Sequence, residues 1–257
     1  MNFTDPMLKL SVRTQDIGSY NNYTLTYWPV DSRGVSEHEN GEFSFAWTSK
    51  YDVLGISGNW IGDDRYAFPA FVMDGVNDRG LSCSMLALVG TKYEKPRPKK
   101  NNLFYGTFCL WALQTISSVE DLSSIIDDIS IWGPAILSEH FVIRDAAGQS
   151  MVIELIDGEK HVYWDANDGV NGFGILTNEP TFDWHISNIQ HYEWKRTLAR
   201  QAVEVPGGWY PEVLNTITVP EGFQYGTDTG ETSGEGSGAD HTMFGLIRDH
   251  SEPAIYW

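Results

Sequence analysis

Signs of several protein classes are missing from this 257-residue chain. No apolar run approaches the roughly 18–20 residues that cross a bilayer as a helix. The opening MNFTDPMLKL carries neither a charged leader nor an apolar signal core. The expectation is a soluble chain with no membrane partner, whose compartment these residues leave open. Positive charge is scarce: 17 Lys and Arg stand against 35 Asp and Glu, for a net charge of −18, and the largest basic cluster is KPRPKK at 95–100. Such a field repels a phosphate backbone, which argues against nucleic acid as a partner and makes KPRPKK a solvated loop. Cysteine is rarer still. Cys83 and Cys109 are the only two, and both sit in apolar surroundings, which predicts buried thiols rather than a disulfide framework. Metal-ligand spacing is lacking too. His140, Glu154 and His161 show no HxH or HExxH pattern, and His185 and His191 lie six apart, out of helical register. No metal and no other cofactor is expected.

What is abundant is aromatic: 13% of residues, with ten tryptophans. That suits a layered core, an apolar cleft, or a carbohydrate-binding face if the tryptophans point to solvent. The length fits one substantial core, and no linker divides it, so residues 1–257 are read as a single domain.

Residues 7–14 and 42–57 alternate apolar and polar side chains and read as strands, with 30–41 as a loop between them. In DGVNDRGL, at 74–81, Asp74-Gly75 and Asp78-Arg79-Gly80 read as turn formers ahead of a strand at 82–89. Residues 103–129 read as two helices, the second opened by a capping box in Ser117-Ser118-Val119-Glu120, with acids at 120, 121, 127 and 128 facing water. Strands at 139–145, 149–156 and 159–164, separated by short turns, form a meander. Residues 226–240 are Gly, Ser, Thr and acid without apolar periodicity and read as a loop; the last run forms two strands about Asp-His-Ser-Glu-Pro.

The chain is organised around GFGILTNEPTFDWHISNIQHYEWKR, residues 172–196. An apolar strand, Phe173–Leu176, runs into a turn, and Pro180 holds Glu179 extended so that no helix begins before it. Asp183 then caps a helix on which Trp184, Ile186, Ile189, Tyr192 and Leu198 recur at helical spacing. Asn178 is thereby presented at a strand's end. By itself an Asn-x-Pro is a turn residue bonding its own backbone.

The longer string ILTNEPTFDWHISNI resembles the choloylglycine hydrolase and penicillin V acylase family of cysteine amidases, in the N-terminal nucleophile class. That resemblance implies that Asn178 donates a hydrogen bond to the oxyanion of the tetrahedral intermediate. DGVNDRGL is similar to the family's DG-x-NE-x-GL. The match aligns Asn77 with a family position, where it supports the turn. It aligns Ala87, seven residues beyond Gly80, with a substrate-wall or second oxyanion position commonly held by Asn or an aromatic residue. Met1-Asn2-Phe3 is similar to R-x-M-D-W/F, which puts Asn2 where the family has the Asp that bonds the nucleophile's amine. FSFAWTSKYDV and SSVED have family counterparts as well.

The implied fold is α+β: a four-layer αββα sandwich of two antiparallel sheets flanked by helices, here lacking its first hairpin. The implied activity is hydrolysis of linear amide C–N bonds in a conjugated bile salt, penicillin V or an N-acyl amide. It requires an N-terminal Cys whose free α-amine serves as base. Cys83 and Cys109 are internal and cannot fill that role. The nucleophile and a neighbouring Arg would precede Met1, and an Arg-bearing segment would be missing around 212–213. Two readings stand: an amidase sequence that is truncated here, or a non-catalytic relative that binds an acyl or amide small molecule in the retained cleft. In either case this chain alone is expected not to hydrolyse amides. Family members are often tetrameric, which implies a homo-oligomer.

Overall fold

Period-two alternation governs most of the architecture. The computed structural model describes residues 2–5, 9–17, 23–36, 45–58, 71–134, 137–164, 176–178, 180–187 and 241–256. In chain order these form β1 (Asn2–Asp5), β2 (Leu10–Ile17), β3 (Tyr23–Trp28), β4 (Arg33–Ser36), β5 (Phe45–Thr48), β6 (Val53–Gly58), β7 (Val72–Asn77), β8 (Ser82–Ala87) and β9 (Asn101–Phe104). Then follow α1 (Tyr105–Thr115), α2 (Val119–Ile125), β10 (Ile129–Trp132), β11 (Glu139–Arg144), β12 (Ser150–Ile156) and β13 (Glu159–Trp164). A helix α3, described over 182–187, precedes β14 (His241–Asp249) and β15 (Ala254–Tyr256). The readings placed on 165–175 and 188–240 lie outside the described residues.

Seven strands make one antiparallel sheet in the order β13-β12-β11-β8-β7-β6-β3, and four make a second in the order β1-β2-β14-β15. Two small ribbons, β4–β5 and the parallel pair β9–β10, complete the described strands.

Directly paired residues share a face of a sheet, and the register sorts the seven-stranded sheet into two unlike faces. Cys83, Met85, Phe141, Ile143, Met151 and Ile153 occupy one face. All are buried with α1 in the main core. The rings of Phe108 on α1 and Phe141 on β11 meet at 4.7 Å between centroids. Burying each such side chain contributes about 1.5–3 kcal/mol. Nearly every residue of α1 is buried, so its sequence is apolar on all sides rather than striped. Gly75 admits this helix: a Cβ there would lie 2.8 Å from Leu113 Cδ1.

The opposite face carries Ser84, Leu86, His140, Val142, Arg144 and Val152. Ser84, with Asp74 opposite it on β7, meets the four-stranded sheet. Asp74 Oδ2 accepts from Arg13 Nη1 of β2 at 3.0 Å and from Ser84 Oγ at 2.7 Å, and Arg248 Nη1 of β14 lies 3.0 Å from both Asp74 oxygens. Arg13 also donates to the carbonyls of Met73 and Met85, at 2.9 and 2.6 Å. This joint is charged, buried and specific in geometry. Removing one member of such a cluster costs about 3–5 kcal/mol because its partners stay buried.

Several expectations change. Residues 33–36 are a strand rather than part of a loop, because pairing with β5 supplies what their own pattern lacks. Asp74 and Gly75 lie within β7, and the turn is confined to 78–80, since two buried arginines hold Asp74 inside the joint. Leu103 and Phe104 belong to β9, not to a helix. The N-cap of α2 is Ser118, whose side chain accepts from Asp121 N, one residue later than the expected box; Ser117 Oγ bonds the Asp121 carboxylate instead. Cys83 and Cys109 are buried as expected but joined in a disulfide, with Cα atoms 5.3 Å apart, because α1 crosses directly over β8.

Candidate active site

The residues singled out in the sequence occupy four places. Asn178 lies exposed on the turn between Leu176 and α3. Ala87 is exposed at the end of β8, opposite Glu139 of β11. Leu88, which follows it, has its backbone N–H taken by Ser138 O at 2.8 Å. Leu86 packs in one buried cluster with Val142, Val152, Leu176 and Phe182, which seats the Asn178 turn on the face of the seven-stranded sheet that carries Leu86, whereas alternation assigns Ala87 to the other face.

Asn77 is elsewhere, buried at the end of β7. Its Nδ2 donates to Leu113 O and Ile116 O at 2.9 and 2.8 Å, and its Oδ1 accepts from Arg79 N and Leu81 N at 3.0 Å each. Two donors and two lone pairs are the whole capacity of a carboxamide, so none remains for a ligand. The first two bonds also cap carbonyls that α1 leaves open at its C-terminus. Asn2 lies on β1, in register with Arg13 of β2.

The turn carrying Asn178 is held from both sides. Upstream, Thr177 N donates to His185 Nε2 at 3.3 Å, and the Thr177 hydroxyl contacts the same nitrogen. Accepting from a backbone N–H requires the lone pair on Nε2, which places the ring proton on Nδ1. Burial first, and then the neighbouring His140, hold the pKa of His185 below its ordinary value, which favours that neutral form. Downstream, Glu154 Oε1 of β12 accepts from Phe182 N at 2.9 Å and from His140 Nδ1 of β11 at 3.1 Å. Both His140 and Glu154 are wholly buried.

Sequence reasoning discounted these residues as metal ligands and read the histidines as satisfied structural residues. Alternation within one strand does not show that β11 and β12 bring His140 and Glu154 together. Among the described residues no group of three or more His, Cys, Asp or Glu side chains is arranged to hold a metal ion. The helix also begins earlier than expected. Trp184 N and His185 N both bond Thr181 O, so α3 opens at Phe182 and Asp183 sits in its first turn rather than capping it. The buried side is Phe182 and His185, while Trp184 is 63% exposed. Of the other described tryptophans, Trp47, Trp111 and Trp132 are buried, and Trp28 and Trp164 pack against the core, so no aromatic stripe faces solvent among them.

Comparison with known proteins adds the context of this turn. Residues 3–206 match the family described as linear amide C–N hydrolases, choloylglycine hydrolase family. A bile salt hydrolase/transferase of Clostridium perfringens is 33% identical over 193 residues, covering 72% of this chain and 54% of that protein. A penicillin V acylase of Pectobacterium atrosepticum is 29% identical over 157 residues, covering 57% of this chain and 39% of that one. The chain therefore spans about half the length of the curated relatives it matches. A crystal structure of a variant conjugated bile acid hydrolase from Clostridium perfringens superposes with a TM-score of 0.72 at 21% identity, over 96% of this chain and 84% of that one. The penicillin V acylase of Agrobacterium tumefaciens gives 0.71 at 22% identity, over 96% and 77%. These likenesses identify the fold as the α+β sandwich of the N-terminal nucleophile hydrolases.

Proposed function

The chain belongs to the choloylglycine hydrolase family of linear amide C–N hydrolases, and from that membership we propose that it serves hydrolysis of the amide bond in a small acyl compound, with Asn178 as oxyanion donor. The observation that carries this reading is the Asn178 turn, exposed and fixed at both ends by the bonds to His185 and Glu154. Asn178 Nδ2–H would donate to the carbonyl oxygen as negative charge develops there, an interaction stronger in the transition state than in the ground state. Ala87 offers no side-chain donor. Asn178 therefore carries the side-chain part of the oxyanion hole alone.

The nucleophile is a Cys supplied from outside residues 1–257, at the N-terminus of the working chain. Its α-amine, with an ordinary pKa of about 7.7–8.0, takes the thiol proton. The thiolate attacks the carbonyl carbon, the amine leaves with a proton, and water releases the acyl group. The two cysteines of this chain cannot substitute, being buried, internal and bonded to each other. Asn2, on β1, stands at the family's Asp position beside that amine. The substrate classes are those of the relatives, conjugated bile salts and penicillin V, or another N-acyl amide. The whole forms one domain and associates as a homo-oligomer.

A second reading is favoured by Ala87 and Asn2 themselves, which stand where the family pattern has an Asn or aromatic residue and an Asp. On it the chain binds an acyl amide without cleaving it. The experiment that separates them is turnover of penicillin V and of a conjugated bile salt by the protein carrying its native N-terminus, beside Asn178→Ala. The hydrolytic reading expects kcat to fall by about 10²–10³ in the variant. Binding with no turnover would favour the second, and residues 1–257 alone are expected to give no turnover.

A further inference from the structure

The polar groups beneath the Asn178 turn form one connected chain, from His140 on β11 through Glu154 on β12 to the first backbone N–H of α3, and from α3 through His185 back to Thr177. Three facts set them apart from ordinary core satisfaction. Glu154 is 0% exposed and reaches across 28 residues of sequence to the helix that follows the turn. His185 bonds the residue immediately before Asn178. The surrounding cluster of Leu86, Val142, Val152, Leu176 and Phe182 is apolar, so these bonds run through a poorly hydrated region where they strengthen and resist exchange with water.

We propose that Glu154 and His185 are positioning residues for Asn178, clamping its turn at both ends so that the backbone carrying the exposed carboxamide keeps one position. The proposal rests on the reading of Asn178 as oxyanion donor. It gives Glu154 a task other than metal binding or acid–base chemistry. An oxyanion donor contributes only if it is already placed before charge develops, and an Asn on an unsupported turn would have to give up backbone freedom at that moment. His140 completes the clamp: its Nδ1–H occupies the same oxygen that holds Phe182, which fixes the rotamer of the Glu154 side chain.

The test uses nuclear magnetic resonance of the uniformly labelled 257-residue chain, with the Asn178 side-chain amide pair assigned by its loss in Asn178→Ala. Glu154→Gln keeps an acceptor for Phe182 N and His140. Glu154→Leu removes it, and His185→Phe cuts only the upstream bond. The expected result is that Glu154→Leu and His185→Phe shift or broaden the Asn178 side-chain pair and speed amide exchange at Phe182 and Thr177 respectively by about tenfold, the worth of one buried bond. Amides of β11 and β12 keep their wild-type shifts, and Glu154→Gln restores the Asn178 signature. If Glu154→Leu fails to fold, His185→Phe and Glu154→Gln decide alone. An unchanged Asn178 pair in folded variants, even with a lowered urea midpoint, would reduce these residues to plain stabilisers and overturn the proposal. Failure of the oxyanion reading shows separately, as unchanged kcat in Asn178→Ala.

Discussion

His250 Nδ1 donates to Gly80 O at 2.9 Å, tying the turn after β14 to the turn between β7 and β8, which lies 170 residues earlier in the chain. Its other nitrogen faces Ser11 Oγ at 2.9 Å on β2. One imidazole thus joins both sheets. It is neutral, because burial and then the Arg248 guanidinium push its pKa down to about 4.

Acid stability should follow from that neutral ring. A histidine whose pKa falls from 6.5 unfolded to about 4 folded binds its proton more readily in the unfolded chain. Its effect is absent above the unfolded value and erodes stability progressively as pH falls from 6.5 to 4, by about 3 kcal/mol in all. Urea midpoints taken across that window should decline in the wild type. His250→Asn should be less stable at pH 7 but flatter over the window. An equal slope in both would place the acid sensitivity elsewhere.

Gly80 is the other end of the same bond. Its φ of +78° lies in the left-handed region, and a Cβ added there would fall 2.0 Å from His250 O. Neither the backbone angle nor the opposing carbonyl can yield cheaply. Gly80→Ala is expected to lower stability by at least about 2–3 kcal/mol. A midpoint within error of wild type would mean that the turn relaxes freely.

Asn77→Asp should be no gentler than Asn77→Ala. An aspartate keeps the two acceptor bonds to Arg79 N and Leu81 N but turns an oxygen toward the carbonyls of Leu113 and Ile116, where the amide donated. Each buried group left unpaired costs about 1–3 kcal/mol. Thermal denaturation of the two variants checks this, and a near-wild-type Asn77→Asp would contradict the bonding pattern.

The disulfide Cys83–Cys109 closes a loop of 26 residues between β8 and α1. Cross-linking over that span is worth about 2–4 kcal/mol, chiefly through the unfolded chain. The double variant Cys83→Ala with Cys109→Ala should unfold at lower urea concentration than the oxidised protein, and reductant should move the wild type toward it. A wild type indifferent to reductant would show that the two thiols are not bonded in solution.

These contrasts show what local pattern reveals. The meander β11-β12-β13 and the final pair β14–β15 are legible because alternation and turn residues are written within each segment, and α2 is legible to within one residue of its cap. The exposure of Asn178 follows from its place on a turn just before Pro180. What stays hidden is whatever depends on register between distant segments. Asp74 looks like a turn former until Arg13 and Arg248 arrive from another sheet. Cys83 and Cys109 look like separate thiols until α1 lies over β8. Glu154 looks like one more strand residue, since its partners lie on β11 and at the start of α3. The clamp beneath the proposed donor is therefore the part of the site that sequence conveys least.

The central claim, amide hydrolysis by an N-terminal cysteine with Asn178 holding the oxyanion, meets its most direct test in the N-terminal mass of the protein isolated from its source. The account predicts a chain extended beyond Met1 whose first residue is a cysteine with a free amine. A mature protein that begins at Met1 would contradict it and leave binding, without cleavage, as the function.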